Sequence, residues 1–366
     1  MRVGYDEQVF LAQRRGGISR YVVSLIEAFQ AAPELGVQAV PGWRWSDNEH
    51  STAARLSRRL PLPELDGRLA IAGQGAYFLA NTRSRRTARR ADILHHTYFH
   101  PRFMAGGSRA RHVCTVYDMI PELYPESFPS RDPHLAKRRY VADCDMVLCI
   151  SESARQDLID VYGDPGVPMP VTYLGVGPEF RPDVGPPSGV PERYLLFIGR
   201  RGGYKDFDVL AEATALLADT EVALVAVGGG SFTDGESARL RHLGISDRVC
   251  QISAPDDELC RLYAHALAFV FPSRHEGFGL PTLEAMASGA AVVLADSSSH
   301  PEVGGEVARY FPIGDPAALA GQLDLLVGDD GLRTQLGKDG VLRAARFTWQ
   351  ATATVTAQAY RSLLSG

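Results

Sequence analysis

Short apolar runs alternate with helical patterns along almost the whole chain, and this alternation predicts a doubly wound α/β architecture. In the first half, Val3–Tyr5, Val37–Val40, Ile93–Leu94, Val113–Tyr117, Met146–Ile150 and Val171–Leu174 have the length and apolar character of buried strands. Ile18–Phe29 has helical periodicity, and Ser151 opens a further helix with a capping hydroxyl. The segment Arg181–Pro191 then places four prolines and two glycines in eleven residues, the composition of a linker. After it the alternation restarts. Tyr194–Ile198, Val222–Val227, Ala266–Phe271 and Ala291–Leu294 are predicted strands, with helices over Phe207–Leu217, Asp256–Ala266 and around Glu284. From Pro316 onward the pattern is helical. The expectation is two Rossmann-like domains, 1–181 and 182–366, with the last helix packing back on the first. Ligands of open α/β sheets lie at the carboxyl ends of the strands, which places the expected site in a cleft between the domains.

Composition narrows the class. The chain has 366 residues, 45% of them apolar, enough for two cores. Its net charge of -5 gives no general attraction to nucleic acid, and no nucleic-acid partner is expected. The charge is uneven: residues 1–180 carry 22 basic and 20 acidic side chains, whereas residues 41–111 alone carry 13 arginines and 5 acids. Arg55, Arg58, Arg59, Arg83, Arg85, Arg86, Arg89 and Arg90 form two clusters that suit anionic lipid or a phosphorylated acceptor, or make a solvated basic surface. The five cysteines form no C-x-x-C pair and read as reduced core residues of a cytosolic protein. The first residues are too polar for a signal peptide and no apolar run is long enough to span a membrane. The expected location is the cytoplasm or the inner face of the membrane.

Two constellations carry chemistry. Phe197-Ile-Gly-Arg-Arg-Gly-Gly-Tyr-Lys205 is a strand running into a glycine-rich, cationic loop, and Arg200 with Lys205 fits a diphosphate. Some seventy residues later, Glu276 and Glu284 stand eight apart in Ser273-Arg-His-Glu-Gly-Phe-Gly-Leu-Pro-Thr-Leu-Glu-Ala-Met-Ala-Ser-Gly289. Gly277 and Gly279 permit close approach of the backbone to a ligand, and Pro281 suits the first turn of a helix. A strand, a glycine bend and a helix N-terminus make an anion site, whereas two carboxylates call for neutral donors such as sugar hydroxyls. A nucleotide-sugar satisfies both. A hydrolase dyad would also use two carboxylates but needs no phosphate cradle. His95, His96 and His100 lack the acids or cysteines of a metal site and read as acceptor-cleft lining. Asp143-Cys-Asp145 has the D-x-D form of a metal-binding donor site but stands at a helix end.

The Glu276–Glu284 segment, together with Gly199-Arg200 to Lys205 and Pro301-Glu-Val303, resembles the group 1 (family 4) retaining glycosyltransferases of the GT-B fold. The resemblance is strong over the second domain and looser over the first. It implies that Arg200 and Lys205 neutralise the donor diphosphate, that Glu284 binds the ribose and that Glu276 contacts the donor sugar. It implies that backbone amides near Phe278, Gly279 and Leu280 reach the sugar or phosphates. Gly16 and Gly17, in Arg14-Arg-Gly-Gly-Ile-Ser-Arg20, resemble the family's early glycine loop beside the phosphates. Many relatives carry His-Asp at a first-domain strand end where this chain has Tyr117-Asp118. Tyrosine is a poor base near neutral pH, so these two residues are expected to position sugar and acceptor. Asp118 completes the expected catalytic set of Arg200, Lys205 and Glu276, and no cofactor or metal is expected. The Arg-Arg-Gly-Gly-Tyr-Lys run resembles mannosyltransferases that use GDP-mannose, with UDP-hexoses as the next donors. The acceptor is then a glycan, a lipid-linked molecule or a small natural product. Two alternatives remain: a nucleotide-sugar 2-epimerase of the same fold, and a hinged two-domain sugar-binding protein.

Overall fold

A computed structural model describes residues 1–60, 75–103, 109–129 and 136–365. Contacts divide the chain into two units. The first is Met1–Glu122 with Pro129–Gly175 and Trp349–Gly366; the second is Leu123–Phe128 with Val176–Thr348. The chain thus passes between units at Gly175–Val176, just before the proline-rich segment, and the last helix belongs to the first unit.

The first unit holds a five-stranded parallel sheet in the order β2-β1-β3-β4-β5. Its strands are β1 (Arg2–Tyr5), β2 (Gln38–Pro41), β3 (Ile93–His96), β4 (Arg111–Val116) and β5 (Met146–Cys149). Helices cover both faces, so the central strands read as continuous apolar runs rather than alternating ones. All of β3 and β5 is buried. Ser151 accepts from the Ala154 amide at 2.9 Å and caps helix Glu152–Tyr162. The expected strand over Val171–Leu174 is only a single bridge from Val171 to Cys149. Pro168 and Pro170 precede it and offer carbonyls to Val147 and Cys149 but have no N–H to extend a ladder. The closing helix Trp349–Ser365 is fastened by Thr352, which donates to the Tyr173 carbonyl at 2.6 Å, and by the buried Tyr360.

The second unit holds a six-stranded parallel sheet in the order β11-β10-β9-β6-β7-β8. Its strands are β6 (Tyr194–Ile198), β7 (Ala223–Val227), β8 (Val249–Ile252), β9 (Ala268–Phe271), β10 (Val292–Ala295) and β11 (Arg309–Phe311). The edge strands β8 and β11 do not stand out in the sequence. Both are half-buried and short, so neither has the apolar run that marks β6, β7, β9 and β10. No helix among the described residues is long and apolar enough to cross a membrane. The five cysteines are free, and all but Cys250 are buried.

Polar groups buried at the carboxyl ends of β1 and β3 tie the first unit together. His95 meets Tyr360 Oη through Nδ1 at 2.6 Å and Thr115 Oγ1 through Nε2 at 2.8 Å. Burial pushes its pKa down to about 3. His96 Nδ1 lies 2.8 Å from Asp6, and its Nε2 lies 3.0 Å from His112. Glu7 is fully buried and pairs with Arg85. Burial raises its pKa from 4.5 to about 7, outweighing the arginine. A raised carboxyl contributes stability that is complete below about pH 4.5 and is lost as pH rises through about 7. A lowered histidine works the other way, its contribution complete above about pH 6.5 and lost as pH falls toward 3. The two slopes oppose each other between about pH 4.5 and 6.5. Glu7→Gln removes one of them. The stability gap between wild type and this variant, from urea midpoints, widens by about 3 kcal/mol on going from pH 7.5 to 4.5. A gap independent of pH would show that Glu7 is not protonated in the folded chain.

Candidate functional site

The second unit gathers its chemistry at the carboxyl ends of β6 and β9. β6 ends in Gly199, whose φ of 137° is open to glycine. Arg200 is exposed and, among the described residues, makes no hydrogen bond or ion pair. The single turn Gly203–Lys205 follows, and Asp206, at φ 52°, leads into helix Phe207–Leu216. β9 ends in Pro272-Ser-Arg-His-Glu276. Two ion pairs join these segments in crossed order: Lys205 Nζ lies 2.5 Å from Glu276 Oε1, and Arg274 forks onto Asp206 at 2.9 and 3.2 Å. The Arg274 amide also donates to the Tyr204 carbonyl at 2.8 Å. Left-handed backbone at an aspartate is uncommon, and here the guanidinium fork holds it. The fork therefore sets the turn that aims Lys205.

Glu276 is held by its backbone as well. Its amide donates to Ser298 Oγ and its carbonyl accepts from Ser299 Oγ, both at 2.9 Å. Gly279, at φ 88°, starts helix Leu280–Ala287 with Pro281 in the first turn. The expected cap glycine and proline are thus where a strand-to-helix bend requires them. Phe278 is buried against Phe347, so it anchors the bend from below while its backbone stays with the loop. Leu280 is half-buried at the helix start. Glu284 is buried one turn further and accepts from Tyr263 Oη at 3.1 Å. His300, fully buried, donates from Nδ1 to the Ala295 carbonyl at 2.8 Å, which leaves Nε2 as a bare acceptor. Burial holds its pKa below the ordinary histidine value. Nε2, Ser273 Oγ and Thr282 Oγ1 are buried with no hydrogen-bond partner among the described residues. A β-carbon at Gly279 would sit 3.5 Å from Thr282 Oγ1 and 3.9 Å from His300 Cδ2, so polar groups crowd beneath this bend.

The structure brings Lys205 and Glu276 into contact and places Arg200, Phe278, Gly279, Leu280 and Glu284 in the same unit. The remaining expected site residues lie in the first unit. Gly16 precedes helix Gly17–Ala31, and Gly17 has open space where a side chain would begin. Tyr117 is buried and its hydroxyl donates inward to the Thr97 carbonyl at 3.3 Å; burial raises its pKa well above the ordinary value. Its hydroxyl hydrogen is therefore directed to the backbone of the first unit. Asp118 is half-buried and caps the next turn by accepting from the Ile120 amide at 3.1 Å.

Two other expectations change. His95 and His96 are interior residues engaged with Tyr360, Thr115, Asp6 and His112, so they do not line a ligand cleft. Asp145 accepts from Arg111 at 2.9 Å and from the His112 amide at 2.7 Å, a structural role. Among the described residues no group of three or more His, Cys, Asp or Glu could hold a metal ion. Arg85, counted with the surface arginines, turns inward to Glu7 with its guanidinium 3.7 Å over Phe78. Arg201, Asp206, Arg274 and His300 join the expected residues in the second unit without any sequence motif that marks them. A charge of opposite sign close to each of Lys205 and Glu276, Asp206 next to the one and Arg274 two residues before the other, is the sequence signal for the crossed ion pairs.

Comparison with known proteins agrees with this geometry. The family described as "Glycosyl transferases group 1" matches residues 184–342, and "Glycosyltransferase Family 4" matches residues 15–180. The chain is 28% identical to the O-antigen chain mannosyltransferase B of Escherichia coli, over 95% of this chain and 96% of that one. It is 35% identical to the D-inositol 3-phosphate glycosyltransferase of Frankia alni, over 63% of this chain and 62% of that one. Its fold is similar to that of the sucrose-phosphate synthase of Thermosynechococcus elongatus, with a TM-score of 0.75 at 21% identity, over 100% of this chain and 99% of that one. With two matching family models that together span most of its length, two parallel sheets and a carboxylate–lysine pair at the strand ends, the chain belongs to the group 1, family 4 glycosyltransferases of the GT-B fold.

Proposed function

We propose that this glycosyltransferase moves mannose from GDP-mannose to a hydroxyl of a glycan or lipid-linked acceptor, with retention of configuration and without a metal. The observation that carries the reading is the Lys205–Glu276 pair, in the same unit as the exposed Arg200 and the buried Glu284. As the anomeric C–O bond breaks, negative charge grows on the leaving diphosphate. Lys205 and Arg200 meet it, and fixed charges placed where charge develops lower the barrier. Glu276 then accepts from hydroxyls of the donor sugar and Glu284 from those of the ribose. No carboxylate of this chain is assigned as a covalent nucleophile. The acceptor oxygen attacks from the face that the diphosphate leaves, a phosphate oxygen takes the acceptor proton, and GDP departs. Gly16, Gly17, Tyr117 and Asp118 are assigned to donor and acceptor positioning on family resemblance alone. Mannose is favoured by the Arg200–Lys205 run and by the relative named a mannosyltransferase; UDP-hexoses are the next choice.

The membrane reading rests on charge. Arg55, Arg58, Arg59, Arg83, Arg86 and Arg90 are exposed, and the exposed Phe78 and Leu79 stand near the second cluster. Residues 61–74 of this region lie outside the described residues. Such a surface suits peripheral contact with anionic lipid at a cytoplasmic membrane face.

Thermal shift against GDP, UDP and their sugars tests the donor. Ligand at about a hundred times its Kd stabilises by about 2.7 kcal/mol, a shift of several degrees. GDP and GDP-mannose are expected to give it. Product analysis with donor alone separates transfer from epimerisation, and a shift with UDP compounds only would reassign the base.

A further inference from the structure

Arg201 follows Arg200, and the two side chains go opposite ways. Arg200 is exposed, whereas the Arg201 side chain is only 2% exposed. Its guanidinium forks onto Glu236, with Nε 2.8 Å from Oε1. Nη1 donates to the Gly228 carbonyl at 2.9 Å, and Nη2 to those of Gly230 at 2.9 Å and Ser231 at 3.1 Å. The Phe232 ring covers it at 4.5 Å. Glu236 also receives the Thr233 amide and hydroxyl, so the residues after β7 are welded to this one guanidinium.

The turn that it holds is unusual. Gly228, Gly229 and Gly230 have φ values of 86°, 72° and 73°. A β-carbon at Gly229 would lie 2.8 Å from Arg201 Nη1 and 3.3 Å from the Gly199 carbonyl, so the turn rests against the residue that precedes Arg200. In a trans peptide the N–H points opposite to the C=O. No cis peptide is present, so the amides of Gly229, Ser231 and Phe232 point away from the guanidinium that binds their partner carbonyls. Among the described residues these three amides donate to nothing, and Gly229 and Ser231 are exposed. Successive backbone amides left without acceptors on a glycine turn are groups that an anion can use. Arg201 cannot itself reach a phosphate, because it is buried and paired. Its charge acts through the peptide groups that it orients.

We propose that Arg201 is a positioning residue for the nucleoside diphosphate part of the donor. It orients the Gly228–Ser231 turn so that its amides meet the diphosphate beside Arg200. The inference rests on the nucleotide-sugar reading given above. A lysine at this position supplies one point charge and no fork, so it cannot hold three carbonyls and a carboxylate at once.

The test is calorimetric titration of the purified full chain with GDP, UDP, guanosine and uridine, alongside donor kinetics. Arg201→Lys is expected to weaken nucleoside diphosphate binding about tenfold or more, and to raise the donor KM similarly with kcat within about twofold. Binding of the free nucleoside is expected to stay unchanged. Gly229→Ala, which strains the turn and displaces the guanidinium without removing it, is expected to act in the same direction and decides the matter if Arg201→Lys does not fold. Unchanged diphosphate affinity in a folded variant, or equal losses for nucleoside and nucleoside diphosphate, would overturn the role. A wild-type chain that binds none of the four ligands would instead sink the donor reading itself, and this inference with it.

Discussion

Lys205→Ala lowers the rate of sugar transfer by about 10²- to 10³-fold, the cost of removing one preorganised group from a developing charge. The geometry makes the result more specific than the loss of a cation. Lys205 is matched by Glu276 at 2.5 Å in the free protein, so the diphosphate must share a cation already engaged. Alanine removes the cation and also leaves Glu276, only 7% exposed, without it. The melting temperature therefore falls too, by the equivalent of about 1–3 kcal/mol, since one partner of a largely buried pair is orphaned. Glu276→Gln separates the two effects. It keeps the shape, frees Lys205, and is expected to bind GDP at least as tightly as wild type while turning over about a hundred times more slowly. Steady-state kinetics and calorimetry on the two variants check this. Near-normal turnover in Lys205→Ala would remove that residue from the mechanism, and weaker GDP binding in Glu276→Gln would show that the pair does not compete with the phosphates.

What the sequence discloses about this protein depends on whether a feature is local. Strands buried on both faces announce themselves as apolar runs, so β6, β7, β9 and β10 are legible, whereas the half-buried β8 and β11 are not. The bend at Gly279-Leu-Pro281 is written in residue types that have few other uses. Lys205 and Glu276 are seventy-one residues apart, and only the resemblance to a family joins them before the fold does. Within Arg200-Arg201 nothing local says which arginine faces out. That is decided by Glu236 and by three carbonyls of a glycine turn, all distant in sequence. The histidines failed as ligand-cleft lining for the same reason: their partners Asp6, Thr115 and Tyr360 come from the residue after β1, from β4 and from the last helix.

Lys137 shows how much stability such invisible pairing carries. In Lys-Arg-Arg-Tyr it reads as one of three solvated cations, yet it is the one with no exposure at all. Its Nζ donates to the Asp118 carbonyl at 2.6 Å and to Glu122 at 2.9 Å, and Tyr162 donates to the other oxygen of the same carboxylate. One ammonium thus fixes the Tyr117–Glu122 segment that leaves β4. Lys137→Ala is expected to destabilise the first unit by about 3–5 kcal/mol, because a largely buried carboxylate loses its cation and a carbonyl loses its donor together. The same loss is not expected of Arg138→Ala or Arg139→Ala, whose own side chains are exposed. A Lys137→Met, Glu122→Gln double variant removes both charges and keeps the volume, so it should recover much of the loss. Urea unfolding of the four variants measures this. A loss below about 1 kcal/mol in Lys137→Ala, or no recovery in the double variant, would mean that the segment is held by packing of its apolar residues and not by this ammonium.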